Sequence, residues 1–498
     1  MKKLLSRRVI FILSLLAMII FAVSLLKLQI FPLKYSLPMI AFFMILIFIL
    51  YHFEKDNSHL HRIRTVILKS IHILISIFLV IGSLSMIKGN NFLASITGLK
   101  NQVMEVEVLV LNSSSYQEVG DLTRKKIGAN MTVDGINMNK AFTMLENDVE
   151  KVELVQFNSY ENVVDELKKQ GVDAIMVKSV DTDLLKDIDK DIQNKVRVLH
   201  KIEVVLPHVK ANAAKVTQEP FNVFITGRDK KGPIDTFSLS DVNMIATINP
   251  VTKQILLTSI PRDYYVDIIG MDGVSGKDKL THSARGGTDV SIKTVENLMD
   301  MKINYYAKFN FTSFLNVIDA LDGIDVEVPQ YQVIGRNDGV FTTVKGHYTI
   351  RPGKTHMDSK KALAFVRERK SFVLGDEIRG KNQMLMLKAI IKKCSSSPTK
   401  MNDVLEKLAD SFETNMESTD IQNLIKMQID DMAPWDIQTY HLDGDGSKRA
   451  TNLAIVGDVT SLNPRGIVVS LPLQKSVDQG KEYIKILMEG QVPLKIKN

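Results

Sequence analysis

Three long, nearly uncharged apolar runs near the N-terminus, residues 9–26, 37–53 and 71–87, set the first limit on what this chain can become. Each is close to the ~17 to 25 residues that an α-helix needs to cross the hydrocarbon core of a bilayer. The first run exceeds the roughly 7 to 15 residues of a signal-peptide core, and no small-residue cleavage site follows it cleanly, so it reads as a retained span. Lys2, Lys3, Arg7 and Arg8 precede it, and Lys55, Arg62, Arg64 and Lys69 lie between the second and third runs, whereas the first loop carries only Lys27 and Lys34. The positive-inside rule then puts the N-terminus in the cytoplasm and everything after about residue 88 outside, making residues 1–90 a multi-pass anchor in the cell membrane.

That placement governs how the formal net charge of +7 is read. Outside a cell, basic charge meets little nucleic acid, so the expected partners are anionic membrane lipids, anionic wall polymers or phosphorylated substrates, and nucleic-acid binding drops out. The remaining chain has room for two domains. Hydrophobic residues make up 45% and charged residues 24%, an ordinary globular balance rather than a disordered one. A single cysteine, Cys394, excludes an intramolecular disulfide and sits in a predicted helix as a buried, inert thiol.

Residues 88–103 read as a polar connector. Residues 101–205 read as a small accessory α/β domain: a strand from Val106, a helix over 116–129, then strand, helix and strand through VELVQF, residues 160–170 and VDAIMVK. No catalytic cluster lies there, which suggests a role in interaction. Residues 206–220, with Pro207 and Pro220, have linker composition. From residue 221 to 498 the pattern is that of a second α/β domain, beginning with three strands that short turns join in antiparallel fashion. The stripe Phe314, Leu315, Val317, Ile318 and Leu321 forms either core or the wall of a lipid pocket. Residues 443–449 read as a polar loop, residues 473–488 as a final helix and KIKN as a solvated tail.

The chemistry concentrates in ALAFVRERKSFVLGDEIRGKNQ, residues 362–383. A short helix capped by Asp358 or Ser359 leads into Arg367 and Arg369, which share one side if the exit is extended. A second helix starting near Asp376 places Asp376, Arg379 and Gln383 in one polar stripe. Three arginines converging from two elements suit a diphosphate, since each guanidinium can hold phosphate bidentately at any physiological pH; the same residues would also serve a salt-bridged helix boundary. Gly380, costly inside a helix, hints at close approach by a ligand or another element. Asp229, Asp241, Arg262 and Asp263 fall at strand ends, where two aspartates either hold a divalent cation or make turns. His282 reads as structural.

Taken in order, TGRDKKGPIDTFSLSDVN, INPVTKQILLTSIPRDYYV, KDKLTH, INYYAKFNFTSF, LDGIDVEV and the arginine stretch resemble the LytR-CpsA-Psr catalytic domain, over about residue 220 to the C-terminus. The three-span anchor with its extra domain resembles the capsule-attachment branch of that family. The resemblance implies a mixed-sheet α/β domain with an apolar tunnel for a polyprenyl tail. It also implies a Gram-positive envelope phosphotransferase, moving capsule or wall teichoic acid from a polyprenyl-pyrophosphate carrier to a peptidoglycan hydroxyl. By position, Asp229 and Asp241 would hold Mg²⁺; Arg262, Arg367, Arg369, Arg379 and Gln383 would bind the pyrophosphate; and Asp376 would orient arginines. The sequence departs from the pattern at Leu239 and Lys381, where arginines are usual. The alternatives are a polyprenyl-lipid-binding regulator without turnover and a pyrophosphatase using water as acceptor.

Overall fold

The structure, a computed structural model, describes residues 6–54, 62–97, 101–132, 134–228, 234, 237–269, 276–396, 404, 407, 412–450, 467–490 and 493–496. Helices α1 (Arg7–Leu28), α2 (Leu33–Phe53) and α3 (Arg62–Thr97) include three segments long and apolar enough to cross a membrane. Ser14 and Ser76 bond at 2.7 Å between α1 and α3, and His72 meets Glu54 at 3.0 Å between α3 and the end of α2. The expected connector after residue 88 is instead the last part of α3, because that segment has something to pack on. Leu28, Ile30 and Leu93 are buried against Phe412, Ile421, Ile425 and Ile429, and Lys34 pairs with Asp430 at 2.5 Å.

The accessory unit is a five-stranded sheet in the order β3-β2-β4-β1-β5, formed by β1 (Gln102–Leu111), β2 (Lys126–Asn130), β3 (Glu153–Phe157), β4 (Ala174–Lys178) and β5 (Val196–Leu206). Helix α4 (Gly135–Asp148) precedes β3 and α5 (Tyr160–Lys168) follows it, while β2 lies parallel to both β3 and β4. The helix expected over 116–129 is not formed. Asp121 accepts the N–H groups of Gln117 and Glu118 to close a short 3₁₀ turn, and Arg124 takes a left-handed φ of 62°, after which Ile127 and Ala129 enter the sheet as buried strand residues. Residues 206–220 are no free tether either: Asn212 N–H donates to Asn304 O at 3.0 Å and Val216 is buried.

The second unit is built on a six-stranded mixed sheet. Its first strands are β6 (Phe221–Arg228), β7 (Val242–Asn249) and β8 (Gln254–Ser259), antiparallel in succession. A small hairpin, β9 (Tyr265–Ile268) with β10 (Gly276–Lys279), leads to α6 (Thr288–Met299) and to β11 (Tyr305–Asn310), which returns parallel to β6. Asn310 caps α7 (Phe311–Ala320), and β12 (Ile324–Val328) follows. Further on, β13 (Phe341–Thr342) pairs with β14 (Thr349–Ile350), and β15 (Gly353–Met357) pairs with β12. Helices α8 (Ser359–Arg367) and α9 (Gly375–Ser396) carry the arginine stretch. Beyond them β16 (Phe412–Thr414), α10 (Ser418–Asp431) and β17 (Asp436–His441) complete the sheet order β16-β11-β6-β7-β8-β17.

Two C-terminal expectations change. Residues 443–449 are not a loop, because β18 (Gly444–Ala450) pairs antiparallel with β19 (Ile467–Pro472). Helix α11 (Gln474–Glu489) then leads to a tail that is tied down: Leu494 is buried and bonds Gln254, and Ile496 N–H donates to Gln438 at 2.8 Å. The stretch NDVLEKLADSF, residues 402–412, whose apolar spacing predicts an amphipathic helix, falls largely outside the described residues.

Candidate functional site

One face of the sheet and the three helices α7, α8 and α9 enclose a pocket. Its apolar wall comes from Ile225, Val242, Met244 and Phe309 on the strands and from Phe314, Leu363, Leu387 and Ile390 on the helices. Its polar end is formed by Arg228, Asp241, Arg367, Arg379 and Gln383. The α7 stripe divides between the two expected uses: Val317, Ile318 and Leu321 belong to the core, whereas Phe314 faces the pocket.

Local sequence explains the helical half. Asp358 accepts Lys361 N–H at 2.8 Å and starts α8, and residues 368–374 separate it from α9. On α9 the residues Arg379, Gln383, Leu387 and Ile390 share one face, so a single helix presents cation, amide and hydrocarbon in sequence along the pocket. Gly380 lies on another face. A Cβ there would stand 2.8 Å from His441 Cε1 and 3.1 Å from Ser259 Oγ, so the close approach hinted at by this glycine is that of β17 and β8.

Two chains of ion pairs meet beside the pocket. In one, Lys279 Nζ lies 2.9 Å from Asp263, Asp263 lies 3.7 Å from Arg262 Nε, and Arg262 pairs closely with Asp241. In the other, Asp376 Oδ1 receives Arg379 Nη2 at 3.0 Å and Arg369 Nη1 at 3.5 Å. Burial works against the Arg262 charge, yet Asp263, Asp241 and Asp376 together raise its pKa above the ordinary value. Burial also opposes ionisation of Asp263, but Lys279, Arg262 and Arg379 outweigh it and hold that carboxyl below its usual range. For Arg379 the balance reverses: burial, with the like charges of Arg262 and Arg369, lowers its pKa despite Asp376. A desolvated guanidinium in that condition gains from a bound anion.

The sequence-predicted residues therefore separate into groups. Asp241, Arg367, Arg379 and Gln383 line the pocket itself; Arg262 joins them through Asp241, and Arg369 through Asp376. Asp229 lies outside the described residues. Among the described residues no group of three or more His, Cys, Asp or Glu side chains is placed to hold a metal ion. Asp241 still offers a carboxylate at the polar end, which is compatible with a hard cation held by one or two carboxylates and completed by substrate phosphate.

Leu239 borders a small polar cavity shared with Arg228 and Lys308, and Lys381 is engaged by Glu377 one turn away on its own helix. His282 is a structural group: it bonds Asp278 at 2.7 Å, and burial pushes its pKa down. Burial likewise pushes the Cys394 thiol up to about 11, so it stays protonated. Three residues escaped the sequence reading, Arg228 at the polar end of the pocket among them. Lys279 sits in the quoted KDKLTH, but its partner Asp263 lies across the β9–β10 hairpin. Glu368, buried between the two arginines, accepts the N–H groups of Arg369 and Ser371 at 3.1 Å and of Val344 at 2.6 Å.

Residues 187–463 match the sequence model of the LytR_cpsA_psr family. The chain is 34% identical over 239 residues to the polyisoprenyl-teichoic acid--peptidoglycan teichoic acid transferase TagU of Bacillus anthracis, covering 47% of this chain and 73% of that protein. It is 35% identical over 209 residues to the corresponding transferase TagT of Bacillus subtilis (strain 168), covering 41% of this chain and 62% of that protein. Among solved structures, that of B. subtilis TagV is 25% identical with a TM-score of 0.43, covering 55% of this chain and 98% of that one.

Proposed function

The chain belongs to the LytR-CpsA-Psr family, and from that premise we propose that it is a membrane-anchored phosphotransferase attaching a polyprenyl-pyrophosphate-linked glycopolymer to peptidoglycan. The observation that carries this reading is the pocket whose hydrocarbon wall ends in Asp241, Arg367, Arg379 and Gln383. An isoprenoid diphosphate has the same division: a chain that gains from leaving water and a head that gains from guanidinium forks. Arg367, Arg379 and Gln383 hold the diphosphate, Arg262 and Arg369 add charge from behind, and Asp376 fixes the orientation of Arg369 and Arg379.

In the reaction the acceptor hydroxyl oxygen bonds to the phosphorus that carries the glycan. The bond from that phosphorus to the bridging oxygen breaks, polyprenyl phosphate leaves, and the hydroxyl proton is released. The protein's share is positioning and charge neutralisation, which is what phosphoryl transfer asks for. Mg²⁺, held by Asp241 with Asp229, would neutralise charge on the diphosphate. In this reading the N-terminus is cytoplasmic, the transfer unit faces outward, and the polymer is capsule or wall teichoic acid of a Gram-positive envelope. The test is transfer of a labelled polyprenyl-pyrophosphate glycan to peptidoglycan by the full chain in membranes or detergent. Labelled glycan in peptidoglycan is expected, and release of free glycan phosphate regardless of acceptor would move the assignment to a pyrophosphatase.

A further inference from the structure

Among the described residues the accessory unit lines no part of the apolar pocket, yet it grips two segments beside the polar end, where Phe237 and Thr288 border the small cavity that shares Gly227 and Arg228 with it. Gln102, at the start of β1 and 4% exposed, accepts the Thr288 N–H at 3.1 Å through Oε1. A Cβ at Gly287, whose φ is +89°, would stand 2.8 Å from that same oxygen and 2.8 Å from the Phe237 ring, so only glycine admits both neighbours. One residue along β1, the Val103 carbonyl accepts Phe237 N–H at 3.2 Å, and the Phe237 ring packs on the accessory core.

From Phe237 the chain runs directly to Asp241. Ser240 N–H donates to Thr281 O at 3.3 Å, Asp241 N–H donates to Gly227 O at 2.7 Å, and the Asp241 side chain pairs with Arg262. The segment that delivers Asp241 is therefore pinned at its start by β1 and at its end by β6.

A second attachment gives the accessory unit a single seat. Lys178 on β4 is fully buried; its Nζ donates to the Arg285 carbonyl at 3.1 Å and lies 3.6 Å from Asp134 and 3.8 Å from Asp181. Arg285 Nε lies 3.1 Å from Asp181, which also accepts the Tyr160 hydroxyl at 2.9 Å. Such a buried cluster tolerates no sliding, because displacement leaves charges unpaired. A continuous buried core, from Val163 and Leu167 of α5 to Val290 and Ile292 of α6, joins the units on the same side. This is the construction of a fixed support rather than of a module that swings out to recruit a partner.

We propose that the accessory α/β unit is a buttress of the transfer site, with Gln102 as a positioning residue: through Gln102 and Val103 it holds Thr288 and Phe237 and so sets where Asp241 stands. The inference rests on the transferase reading above. In the full chain, Gln102→Leu keeps the bulk and removes the acceptor, Gln102→Glu keeps an acceptor, and Leu145→Ala loosens the accessory core at α4 as a control for stability alone. Gln102→Leu is expected to lower kcat about tenfold with the donor KM within twofold, and to speed hydrogen exchange of peptides covering 237–241 and 288 about tenfold, the scale of one lost buried hydrogen bond. Gln102→Glu is expected to stay within twofold of wild type in both. Leu145→Ala is expected to lower Tm while leaving kcat within twofold. Unchanged exchange or turnover in Gln102→Leu overturns the proposal, as does an equal loss of turnover in Leu145→Ala. Should Gln102→Leu not fold, Gln102→Asn, which draws the acceptor back by one carbon, is read in the same way. Wild type that transfers no glycan defeats the transferase reading instead, and the exchange comparison still decides whether the buttress exists.

Discussion

Replacing Asp376 with asparagine keeps the shape of the group that joins Arg369 to Arg379 and removes its charge. In the wild type Oδ1 receives Arg379 at 3.0 Å and Arg369 at 3.5 Å, with side-chain exposures of 10% for Arg379, 31% for Asp376 and 43% for Arg369. A hydrogen bond to a charged partner is worth roughly 1.5–3 kcal/mol, which applies to the sheltered Arg379 contact. The more exposed Arg369 contact adds at most about 1 kcal/mol. If that energy orients guanidiniums for the transition state, Asp376→Asn loses about ten- to a hundredfold in kcat. Donor KM stays level or falls, because a site one negative charge poorer attracts the diphosphate at least as well. Arg379→Met differs, raising KM and lowering kcat together. Steady-state transfer of a labelled donor at several concentrations separates the two patterns. A raised KM with unchanged kcat in Asp376→Asn would refute the orienting role.

Gly380→Ala should gain about 1 kcal/mol of helix propensity and lose about 1–3 kcal/mol to crowding against His441 and Ser259; a lower apparent Tm and reduced transfer are expected, and a raised Tm with full activity counts against the packing described. Leu387→Gln places an amide in the apolar wall and should raise KM at least tenfold for long-chain donors while sparing short-chain ones, measured with donors of graded isoprenoid length. Burial pushes the His441 pKa down to about 4, below the ~6.5 of an unfolded chain. The unfolded state therefore takes up the proton first on acidification. Stability contributed by the neutral imidazole is full above about pH 6.5 and falls by up to about 3 kcal/mol towards pH 4, a slope that His441→Asn should flatten in Tm measured against pH. Chelation of divalent cations should abolish transfer and Mg²⁺ restore it, with isoprenoid binding to the apolar wall retained throughout.

What could be read from the sequence follows the range of the physical signal. The spans were legible because each apolar run is a local property, and the α8 start because Asp358 caps a helix three residues away. The arginine stretch was legible because Asp376, Arg379 and Gln383 lie on one helix. Signals that depend on distant partners were not. Asp263 is defined by Lys279 across a hairpin, the segment after residue 88 by α10 more than three hundred residues later, and β18 by β19 beyond an intervening stretch. Residues 116–129 have helical composition, but the left-handed turn at Arg124 and the sheet waiting for Ile127 override it. Gly380 registered as an anomaly whose cause, His441, could be found only in three dimensions.

In the proposed function one site holds the diphosphate of a lipid-linked glycan and passes the glycan phosphate to peptidoglycan. The most direct measurement is transfer of a labelled polyprenyl-pyrophosphate glycan to peptidoglycan by the full chain, with wild type and Arg369→Ala side by side, each with Mg²⁺ and with chelator. Metal-dependent labelled peptidoglycan from wild type, reduced with Arg369→Ala and lost with chelator, is the predicted result. Tight retention of the labelled lipid with no product on any acceptor would contradict it and make the protein a carrier or regulator instead.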